Sequence, residues 1–526
     1  MGRIIFLLAS LLVIVINGVL APVFPRIWYS MFFFGPVILV GLMDMFQQHH
    51  AIRRNFPIIG NFRYLLEFFR PEINQYFVES NTSGTPFNRL DRSLVYQRAK
   101  GQLDTLPFGT QKNVYEVGYE WVTHSIMPAH VDPASLRVVI GASRSKPYQA
   151  SIFNIGAMSF GSLSKNAVMA LNQGARMGGF AQNTGEGGLT SYHRQGGDLI
   201  WQVGTGYFGC RDHDGKFSPE RFAENASLPE VKMIELKISQ GAKPGHGGIL
   251  PAEKVTEEIA RFRGVEKGKS VISPPGHSAF STPLELVGFI ERLRELSGGK
   301  PVGFKICVGK PREFMAICKA MIKTGITPDF ITVDGGEGGT GAAPLEFSNY
   351  VGSPLNEGLV FVHNALVGFA LRGKVRIISS GKINSGFGII KHMVMGADLC
   401  YSSRGMMLAL GCIQALKCNT NHCPTGVATQ DASLVRGLVV AQKNKRVANF
   451  HKATVKSFAE ILGAMGFHEP KQLRPRHLMR RISLSQVKDY SEIYPFIEEG
   501  ALLKDPIPPA FERSYRASCA ETFEHV

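Results

Sequence analysis

The sequence predicts an α/β protein whose main domain is a (β/α)8 barrel, or TIM barrel, preceded by a hairpin of two transmembrane helices. Two observations predict this architecture. Two long, uncharged, apolar runs occupy most of the first 43 residues. From residue 151 onward, short apolar runs end in glycine or polar residues and alternate with helix-like segments, which is the order of strands and helices in such a barrel.

A doubly wound parallel sheet is the alternative fold for a repeated strand and helix pattern. That fold gathers its ligand-binding residues at one switch point and often carries G-x-G-x-x-G after its first strand. Here no such motif opens a helix after the first strand, and polar residues of functional type follow many strands. The barrel is therefore favoured.

Composition and charge limit the classes of function. The 526-residue chain is 44% hydrophobic and 19% charged, which permits a large core and excludes an intrinsically disordered protein. Most of the net charge of +16 lies in two segments, residues 53–70 and residues 436–481. The rest is close to neutral, and the basic C-terminal segment has few aromatic residues and no recognition motif, so we expect no nucleic-acid partner.

The first predicted element is a membrane hairpin at residues 1–46. Residues 4–25 form 22 consecutive uncharged residues and residues 27–43 form 17, close to the roughly 20 that a helix needs to cross a bilayer core. More arginines flank the outer ends of these runs than the turn, which places both ends and the following domain on the cytoplasmic side of the membrane. The alternative is a cleaved signal peptide followed by a single anchor.

Three further regions follow the hairpin. Residues 47–150 form a juxtamembrane and barrel-leading segment, residues 151–465 the barrel domain, and residues 466–526 a basic C-terminal extension. The barrel strands are predicted at residues 151–156, 179–182, 233–238, 270–273, 302–307, 330–333, 375–379 and 398–402.

The segments directly after the strands carry residues suited to bind a ligand. Six of them contain glycines or polar side chains, and glycine lets the backbone approach a flat or phosphorylated ligand closely. The last two, Ser380-Gly381 and Ser403-Arg404-Gly405, lie where barrels of this class commonly hold a phosphate. The pattern predicts a phosphate-bearing cofactor at the carboxyl ends of the strands.

Three of the eight cysteines are closely spaced, in the pattern C-x5-C-x4-C followed by proline. Cys412, Cys418 and Cys423 suit a [3Fe-4S] cluster, or a [4Fe-4S] cluster with a fourth ligand from elsewhere. Zinc is an alternative because His422 offers a fourth ligand, and purely structural cysteines are a third alternative. A disulfide is disfavoured on the predicted cytoplasmic side.

Longer strings of residues carry a family resemblance. Starting at residues 158, 178, 237, 273, 338 and 418, the chain reads MSFGSLSKNA, GGFAQNTGEGG, KISQGAKPGHGG, SPPGH, GGTGAAP and CNTNHCPTGVATQD. These strings, in this order, resemble the synthase domain of glutamate synthase, most closely in the short FMN-binding proteins of that family. The resemblance covers about residues 84–465.

The resemblance implies an FMN-binding barrel with a [3Fe-4S] cluster held by Cys412, Cys418 and Cys423. The residues that it places near the flavin and its phosphate are Ala157, Met158, Ser159, Asn183, Lys305, Ser380, Gly381, Ser403, Arg404 and Gly405. The catalytic residues that it implies are Glu186, Gln240, Lys243 and Lys305. Of these, Lys305 matches a lysine beside the flavin, Gln240 and Lys243 match the loop that faces the substrate, and Glu186 is expected to orient or protonate an imine.

The implied reaction is reductive amination of 2-oxoglutarate to glutamate by reduced FMN, with electrons relayed through the cluster. We expect the nitrogen to come from ammonia or a partner, because Gly2 stands where the large enzymes begin a glutaminase domain with cysteine. His246 and Glu337 also depart from the large enzymes, which have Glu and Asp there. The expected partners are a ferredoxin-like one-electron carrier or a membrane quinone, and the lipid membrane.

Two other functions stay open. One is an enzyme working in the opposite direction, a glutamate or N-substituted glutamate dehydrogenase, or an N-methylglutamate synthase-like enzyme, that passes electrons to a membrane acceptor; the apolar hairpin favours it. The other is a flavin-free barrel that scaffolds a membrane complex. Intact ligand-binding motifs after the strands argue against the scaffold.

Overall fold

The computed structural model describes residues 1–524 and separates the chain into two compact units, Met1–Thr85 and Pro86–Val526. The first unit is entirely helical. Its helices are α1 (Gly2–Leu20), α2 (Met31–Phe46), α3 (Ala51–Asn55) and α4 (Ile59–Ile73), with a 3-10 helix at Pro25–Ser30 and a π-helical turn at Asn74–Val78.

Both apolar runs of the first unit are helical. The helix Gly2–Leu20 and the continuous helical segment Pro25–Phe46 are long and apolar enough, by length and composition, to cross a membrane. They contact each other through a small residue and a polar pair: the ring of Phe6 lies against Gly41, and Ser30 donates a hydrogen bond to Asn17 Oδ1 at 2.8 Å.

The second unit contains a closed barrel of eight parallel strands, as predicted. Each strand pairs with the next along the chain, and the last pairs with the first. The strands are β1 (Phe153–Ile155), β2 (Ala181–Asn183), β3 (Asp198–Val203), β4 (Val231–Lys237), β5 (Val302–Ile306), β6 (Phe330–Asp334), β7 (Arg376–Ser380) and β8 (Leu399–Ser402).

One predicted strand was wrong. The apolar residues near 270–273 form only a two-residue strand, Val271–Ile272, which pairs antiparallel with Ile249–Leu250 outside the barrel. The barrel strand that the sequence did not predict is β3, which pairs with β2 and β4. In the strand Val271–Ile272, the first residue is partly buried and the second is 66% exposed, whereas five of the six residues of β3 are buried, so burial separates the two segments.

A hairpin closes the amino-terminal end of the barrel. Its strands, Arg137–Ile140 and Tyr148–Ser151, are antiparallel and immediately precede β1. Ile140 and Tyr148 pack in one apolar cluster with barrel residues that include Ala181, Ile200, Met233, Phe330, Ile378 and Leu399. These residues lie in the lower and middle parts of their strands, so the opposite, carboxyl-terminal end is left to hold a ligand.

Helices surround the barrel and follow conventional start and stop signals. In the helix Lys165–Gly178, for example, Ser164 accepts a hydrogen bond from the Ala167 N–H at the start, and Gly179 adopts a left-handed conformation at the end. The helices are α5 (Arg89–Lys100), α6 (Lys165–Gly178), α7 (Pro219–Ala226), α8 (Glu257–Arg263), α9 (Pro283–Leu296), α10 (Pro311–Thr324), α11 (Leu345–Tyr350), α12 (Leu355–Gly368), α13 (Gly386–Val394), α14 (Arg404–Leu410), α15 (Ala432–Val435), α16 (Val440–Ala464), α17 (Tyr490–Ile493) and α18 (Pro509–Arg516).

The basic segment near the C-terminus is not simply a solvated helix. Helix α16 buries Val447, Phe450, Phe458 and Leu462 in the main core. Its close contact with α6 requires a glycine, because a Cβ at Gly174 would lie 2.6 Å from Val447. After α16, a three-stranded antiparallel sheet joins Glu120–Val122, Leu478–Arg481 and Val487–Asp489.

Candidate active site

A cavity of about 250 Å³ lies at the carboxyl ends of the barrel strands. A second, smaller cavity of about 50 Å³ shares wall residues with it on the side of β7 and β8. Both are lined by segments that follow the strands, which is where barrels of this class place their active sites.

Most of the predicted site residues line these two cavities. Five of them, Ala157, Gln240, Lys305, Ser403 and Arg404, line both. The main cavity is also lined by Met158, Ser159, Glu186, Lys243 and Cys418, and the smaller one by Ser380, Gly381 and Gly405.

Glu186 is held in an ion pair at the wall of the main cavity. Its Oε1 lies 2.7 Å from Nζ of Lys237, the last residue of β4. Burial alone would raise the pKa of Glu186, but the positive charges of Lys237, Lys243 and Lys305 lower it below its usual value. Glu186 is therefore a carboxylate at neutral pH.

Two glycines leave room for the Glu186 side chain. A Cβ at Gly204 would lie 2.7 Å from Glu186 Cβ, and a Cβ at Gly248 would lie 2.6 Å from its Oε1. Any larger residue at these positions would displace the carboxylate. The glycine-rich segments after β3 and β4 thus serve close packing around an acidic side chain.

Cationic side chains dominate the main cavity. Lys243, Arg263, Lys305 and Arg404 line it, against one carboxylate, Glu186. Burial lowers the pKa of Lys243 to about 8, although Glu186 opposes that shift, and burial lowers the pKa of Arg263 to about 10. The cavity is therefore electrostatically suited to anionic ligands.

Three of these cations, Lys243, Arg263 and Arg404, are anchored to backbone carbonyls. Lys243 Nζ donates to Ala342 O at 2.7 Å, and Arg263 Nη2 donates to Phe160 O at 2.8 Å. The guanidinium of Arg263 also lies over the ring of Phe208. Their positions are set by the protein before any ligand binds, which favours affinity because less side-chain freedom is lost.

Asp334, the last residue of β6, connects three parts of the site. Its Oδ2 accepts a hydrogen bond from the Gly241 N–H at 2.8 Å and its Oδ1 accepts one from Ser380 Oγ at 2.7 Å. Lys305 Nζ lies 3.8 Å from the same carboxylate. The segments after β4 and β7 and the lysine on β5 are thereby fixed relative to one another.

Gln240 leaves a polar group available to a ligand. Its Nε2 is buried and, among the described residues, has no hydrogen-bond partner, although the side chain lines both cavities. A buried donor of this kind costs free energy unless it is satisfied. Together with Lys305, it forms a donor set that fits the polar edge of a flavin ring.

The smaller cavity has the features expected of a phosphate groove. Its walls include Gly381 and Gly405 with the cationic side chains of Lys382 and Arg404. Arg404 Nη2 donates to Glu337 O at 2.7 Å, and its guanidinium lies over the ring of Phe87. The donor set therefore fits an anionic group at this end of the site.

Asn183 lies below the cavities and lines neither of them. Its Nδ2 donates to Glu235 Oε2 at 2.7 Å inside the barrel, and its Oδ1 accepts from the Gly185 N–H at 3.0 Å. Gln202 and Thr332 also donate to the Glu235 carboxylate. Asn183 is thus placed to support the loop that carries Glu186.

The three closely spaced cysteines lie after α14 on a tightly wound loop, in which Gln414, Leu416 and Asn421 have positive φ. All three are free thiols. Among residues 1–524, no group of three or more His, Cys, Asp or Glu side chains converges enough to hold one metal ion.

The three thiols of this loop differ in acidity: burial raises the pKa of Cys412 to about 12 and also raises that of Cys418, whereas the pKa of Cys423 is lowered. Burial would raise the pKa of the Cys423 thiol, but hydrogen bonds from Thr425 and from the backbone N–H groups of Ala428, Thr425 and Val427 lower it. The Gln414 N–H lies 3.4 Å from Cys412 Sγ. Backbone N–H groups directed at cysteine sulfur are typical of iron–sulfur sites.

A buried lysine joins the cysteine loop to the main cavity. Lys254 Nζ donates to Ala428 O at 2.8 Å and to Ser162 O at 3.1 Å. Burial lowers the pKa of Lys254 to about 8, and the negative charges of Cys418 and Cys423 oppose the shift. A lysine therefore lies beside the cysteine loop, bonded to two residues of the cavity wall, Ser162 and Ala428.

Several of these residues were not predicted from the sequence. Lys237, Arg263, Lys254 and Asp334 lie outside or at the edge of the glycine-rich strings. The position of Lys237 and Asp334 as the last residues of their strands was an available signal, because strand ends face the ligand in this fold. Arg263 and Lys254 come from the excursion after β4 that contains Ile249–Leu250, and no spacing in the sequence marks them.

Known proteins match the chain over most of its length. The family described as the conserved region in glutamate synthase matches residues 124–468. The glutamate synthase large subunit-like protein YerD of Bacillus subtilis is 36% identical over 492 residues, which cover 85% of this chain and 93% of that protein. The archaeal glutamate synthase [NADPH] of Methanocaldococcus jannaschii is 33% identical over 378 residues, which cover 71% of this chain and 70% of that protein.

A third relative shares a smaller part of its own length. The ferredoxin-dependent glutamate synthase of the alga Antithamnion sp. is 33% identical over 348 residues, which cover 61% of this chain and 21% of that protein. The resemblance to the synthase domain of glutamate synthase is confirmed, and so is the class of enzyme, an oxidoreductase acting on CH–NH2 donors. The chain belongs to the glutamate synthase family.

Proposed function

We propose that this protein is a membrane-bound flavin enzyme that reductively aminates 2-oxoglutarate to glutamate. One observation carries the proposal: the main cavity presents four cationic side chains and a single ionised carboxylate at the carboxyl ends of the barrel strands. 2-Oxoglutarate is a dianion, and the imine that ammonia forms with it becomes cationic at nitrogen when protonated. The cavity therefore offers cations for the two substrate carboxylates and a carboxylate for the protonated imine nitrogen.

FMN is the cofactor that we propose for the two adjoining cavities. The residues that would hold it are Gln240 and Lys305 at the ring, and Ser380, Gly381, Ser403, Arg404 and Gly405 at the phosphate. When bound and reduced, FMN supplies the hydride for C2 of the imine. The fit is supported by the unpartnered amide of Gln240 and by the cations of the smaller cavity.

The chain itself would position the substrate. Lys243 and Arg263 are fixed by backbone carbonyls and would each bind a substrate carboxylate through charge-assisted hydrogen bonds. Such positioning converts an encounter of two reactants into a reaction within one complex. Burial of both side chains strengthens these contacts because water screens them less.

Glu186 would stabilise the charged nitrogen. Because it is ionised and paired with Lys237, it accepts hydrogen bonds and does not deliver a proton. Glu186 therefore suits the orientation of ammonia and of the protonated imine. Of the two roles expected from the sequence, orienting the imine and protonating it, the ionised carboxylate supports the first. Lys243, with its pKa near 8, holds a proton at neutral pH that it can share with a substrate oxygen.

We propose that Cys412, Cys418 and Cys423 hold a [3Fe-4S] cluster that passes electrons one at a time toward the flavin. Cys418 supports this placement because it lies on the wall of the main cavity. A ferredoxin-like carrier is the proposed donor, in line with the name of the Antithamnion relative, while the archaeal relatives are named for NADPH.

The location that we propose is the cytoplasmic face of a membrane. Its two apolar helices support membrane insertion, and the arginines after them support a cytoplasmic position of the barrel. The same helices favour a second candidate function, in which an amino acid such as glutamate or an N-substituted glutamate is oxidised and a membrane quinone accepts the electrons. A soluble electron donor needs no anchor, whereas a quinone requires access to the membrane.

One anaerobic experiment distinguishes these functions. The protein, purified in detergent, is analysed for flavin and iron, reduced chemically, and mixed with 2-oxoglutarate and ammonia. Return of the oxidised flavin absorbance with formation of glutamate supports the synthase. Bleaching of the oxidised protein by glutamate or N-methylglutamate supports the second function, and the absence of bound flavin contradicts both.

The cluster has its own test. Cys418→Ser removes one thiolate on the cavity wall, so the electron paramagnetic resonance signal and the bound iron should be lost while FMN stays bound. Cys519→Ser, at a cysteine far along the chain from this loop, serves as the control and should keep both. Loss of FMN together with iron in Cys418→Ser would show that the two sites are not separate.

A further inference from the structure

Helix α4 in the first unit has its apolar side turned outward. Phe62, Leu65, Leu66, Phe69 and Ile73 recur at the spacing of one helical face. Their exposed fractions lie between 40% and 61%. In a water-soluble unit such a face would be buried against the core.

The opposite side of α4 is the one that packs inside the unit. The ring of Tyr64 lies 4.6 Å from the ring of His50, and the Arg53 guanidinium lies over Tyr64 at 4.6 Å. Gly60 contacts the backbone of α3, where a Cβ would lie 2.8 Å from Arg53 Cα. Polar and small residues therefore face inward and large apolar residues face outward.

Helix α4 is fastened to the end of α2. The buried carboxylate of Asp44 accepts a hydrogen bond from the Ile58 N–H at 3.0 Å and another from the Asn61 side chain. Asp44 lies in the last turn of α2, so α4 starts where the second apolar helix ends. This connection holds α4 at one end of the helical pair.

Charged residues border the apolar face. Arg63 and Arg70 lie beside it and are largely exposed, with Glu67 3.6 Å from Arg63 and 3.9 Å from Arg70. A helix with an apolar face, bordering arginines and large aromatic residues is typical of segments that lie in the headgroup region of a bilayer.

We propose that α4 lies along the membrane surface, with Phe62, Leu65, Leu66, Phe69 and Ile73 inserted among the lipids. The proposal rests on the membrane location put forward above. Lipid is the occupant because α1 and α2 also expose apolar side chains, and Asp44 of α2 is hydrogen-bonded to the start of α4. Arg63 and Arg70 would then contact anionic headgroups.

Tryptophan fluorescence in vesicles tests the proposal with the full chain. The protein is reconstituted into phosphatidylcholine and phosphatidylglycerol vesicles whose acyl chains are brominated or plain, because bromine quenches tryptophan on contact. Phe69→Trp places the probe on the apolar face and Glu67→Trp places it on the charged side of the same helix. The native tryptophans, one of which is Trp28 in the helical segment Pro25–Phe46, give the reference signal.

The expected result is selective quenching. The added fluorescence of Phe69→Trp should fall by about half in brominated vesicles, whereas that of Glu67→Trp should change little, because only the first lies at the acyl boundary. Equal signals from the two variants, with wild-type quenching intact, would overturn the proposal for α4 alone. Unquenched wild-type protein that does not float with vesicles would overturn the membrane location itself.

A second variant separates lipid from a second copy of the chain. Leu65→Cys, treated with a short bifunctional thiol reagent in plain vesicles, should give no cross-linked dimer through this position when lipid covers the face. A dimer cross-linked at residue 65, located by peptide mapping, would show that another copy occupies it and would contradict the proposal.

Discussion

At the scale of single residues, the site is organised around a carboxylate that is kept charged. Glu186 is partly buried and is surrounded by cations, and its ion pair with Lys237 joins the loop after β2 to the end of β4. An uncompensated buried charge is costly, so each partner depends on the other. The role of Glu186 can therefore be tested by comparing a substitution of Glu186 alone with a substitution of both partners of the ion pair.

Glu186→Gln should lower kcat by on the order of 100-fold, because the orientation and charge stabilisation of the nitrogen are lost. It should also lower the melting temperature, because Lys237 is left buried without its counter-ion. The double variant Glu186→Gln/Lys237→Met should recover the melting temperature and leave kcat low. The exposed Glu253→Gln is the control, and a double variant that regains activity would contradict the assigned role.

The pH dependence of substrate binding should follow Lys243. Its pKa is lowered to about 8, so the side chain is cationic below that pH and neutral above it. The attraction for a substrate carboxylate is therefore present below about pH 8 and is lost as the pH rises. KM for 2-oxoglutarate, measured from pH 6.5 to 9.5, should increase above pH 8, and Lys243→Arg should move that increase to higher pH. A profile that is identical in wild type and Lys243→Arg would exclude this lysine.

The sequence was informative about these residues where they follow strands. Ser159, Glu186, Gln240, Lys243 and Arg404 all line the main cavity, as their position after strands leads one to expect. The sequence was less informative about the direction in which each side chain points. Asn183 lies only three positions before Glu186 but points into the barrel, because alternate residues of a strand face opposite sides.

At the scale of elements, the barrel could be predicted but one of its strands could not. Apolar runs and turn residues identify a strand, yet nothing in a single run shows which neighbours it pairs with. The run at Val271–Ile272 has the β-branched residues of a strand and pairs in a small outer hairpin. β3 contains Asp198, Trp201 and Gln202, whose polar atoms made it a weaker candidate, and only pairing with β2 and β4 reveals it.

The assignment of β3 to the barrel and of Val271–Ile272 to an outer hairpin predicts that substitutions in the two strands have different effects on the free energy of unfolding. Trp201 in β3 is fully buried and its ring stacks on Phe222 at 5.1 Å, so Trp201→Ala should reduce the free energy of unfolding by about 3–5 kcal/mol. Ile272 is 66% exposed, so Ile272→Ala should change it by less than about 0.5 kcal/mol. Urea denaturation in detergent, followed by near-ultraviolet circular dichroism, measures both. Equal effects would be inconsistent with the strand assignment.

At the scale of the whole molecule, charge is distributed according to the two units. The barrel cavities are cationic, and much of the remaining positive charge lies in residues 53–70 and 436–481, where the exposed side of α16 carries Lys445, Lys452 and Lys456. The apolar face of α16 belongs to the core, which composition alone did not show because its lysines are the more conspicuous feature. We expect the basic side of α16 to face anionic lipid or an acidic electron carrier.

The orientation in the membrane predicts the outcome of reporter fusions. Because the arginines that follow α2 outnumber the single one in the turn before it, both ends of the helical pair should lie in the cytoplasm. A green fluorescent protein fused to the C-terminus should therefore fluoresce in bacterial cells, and alkaline phosphatase fused there should be inactive. The protein should also remain in the membrane pellet after alkaline carbonate washing. Active phosphatase would reverse the assigned orientation, and release by carbonate would exclude membrane spans.

The excess of cations around Glu186 has a practical consequence for work with this enzyme. A cavity that is prepared for a dianion will also accept small inorganic dianions, and sulfate or phosphate at buffer concentrations would compete with an organic acid for Lys243 and Arg263. Protein prepared in such salts would therefore melt at a higher temperature and yet turn over more slowly than protein prepared in chloride. The choice of buffer thus becomes part of any measurement of the substrate preference.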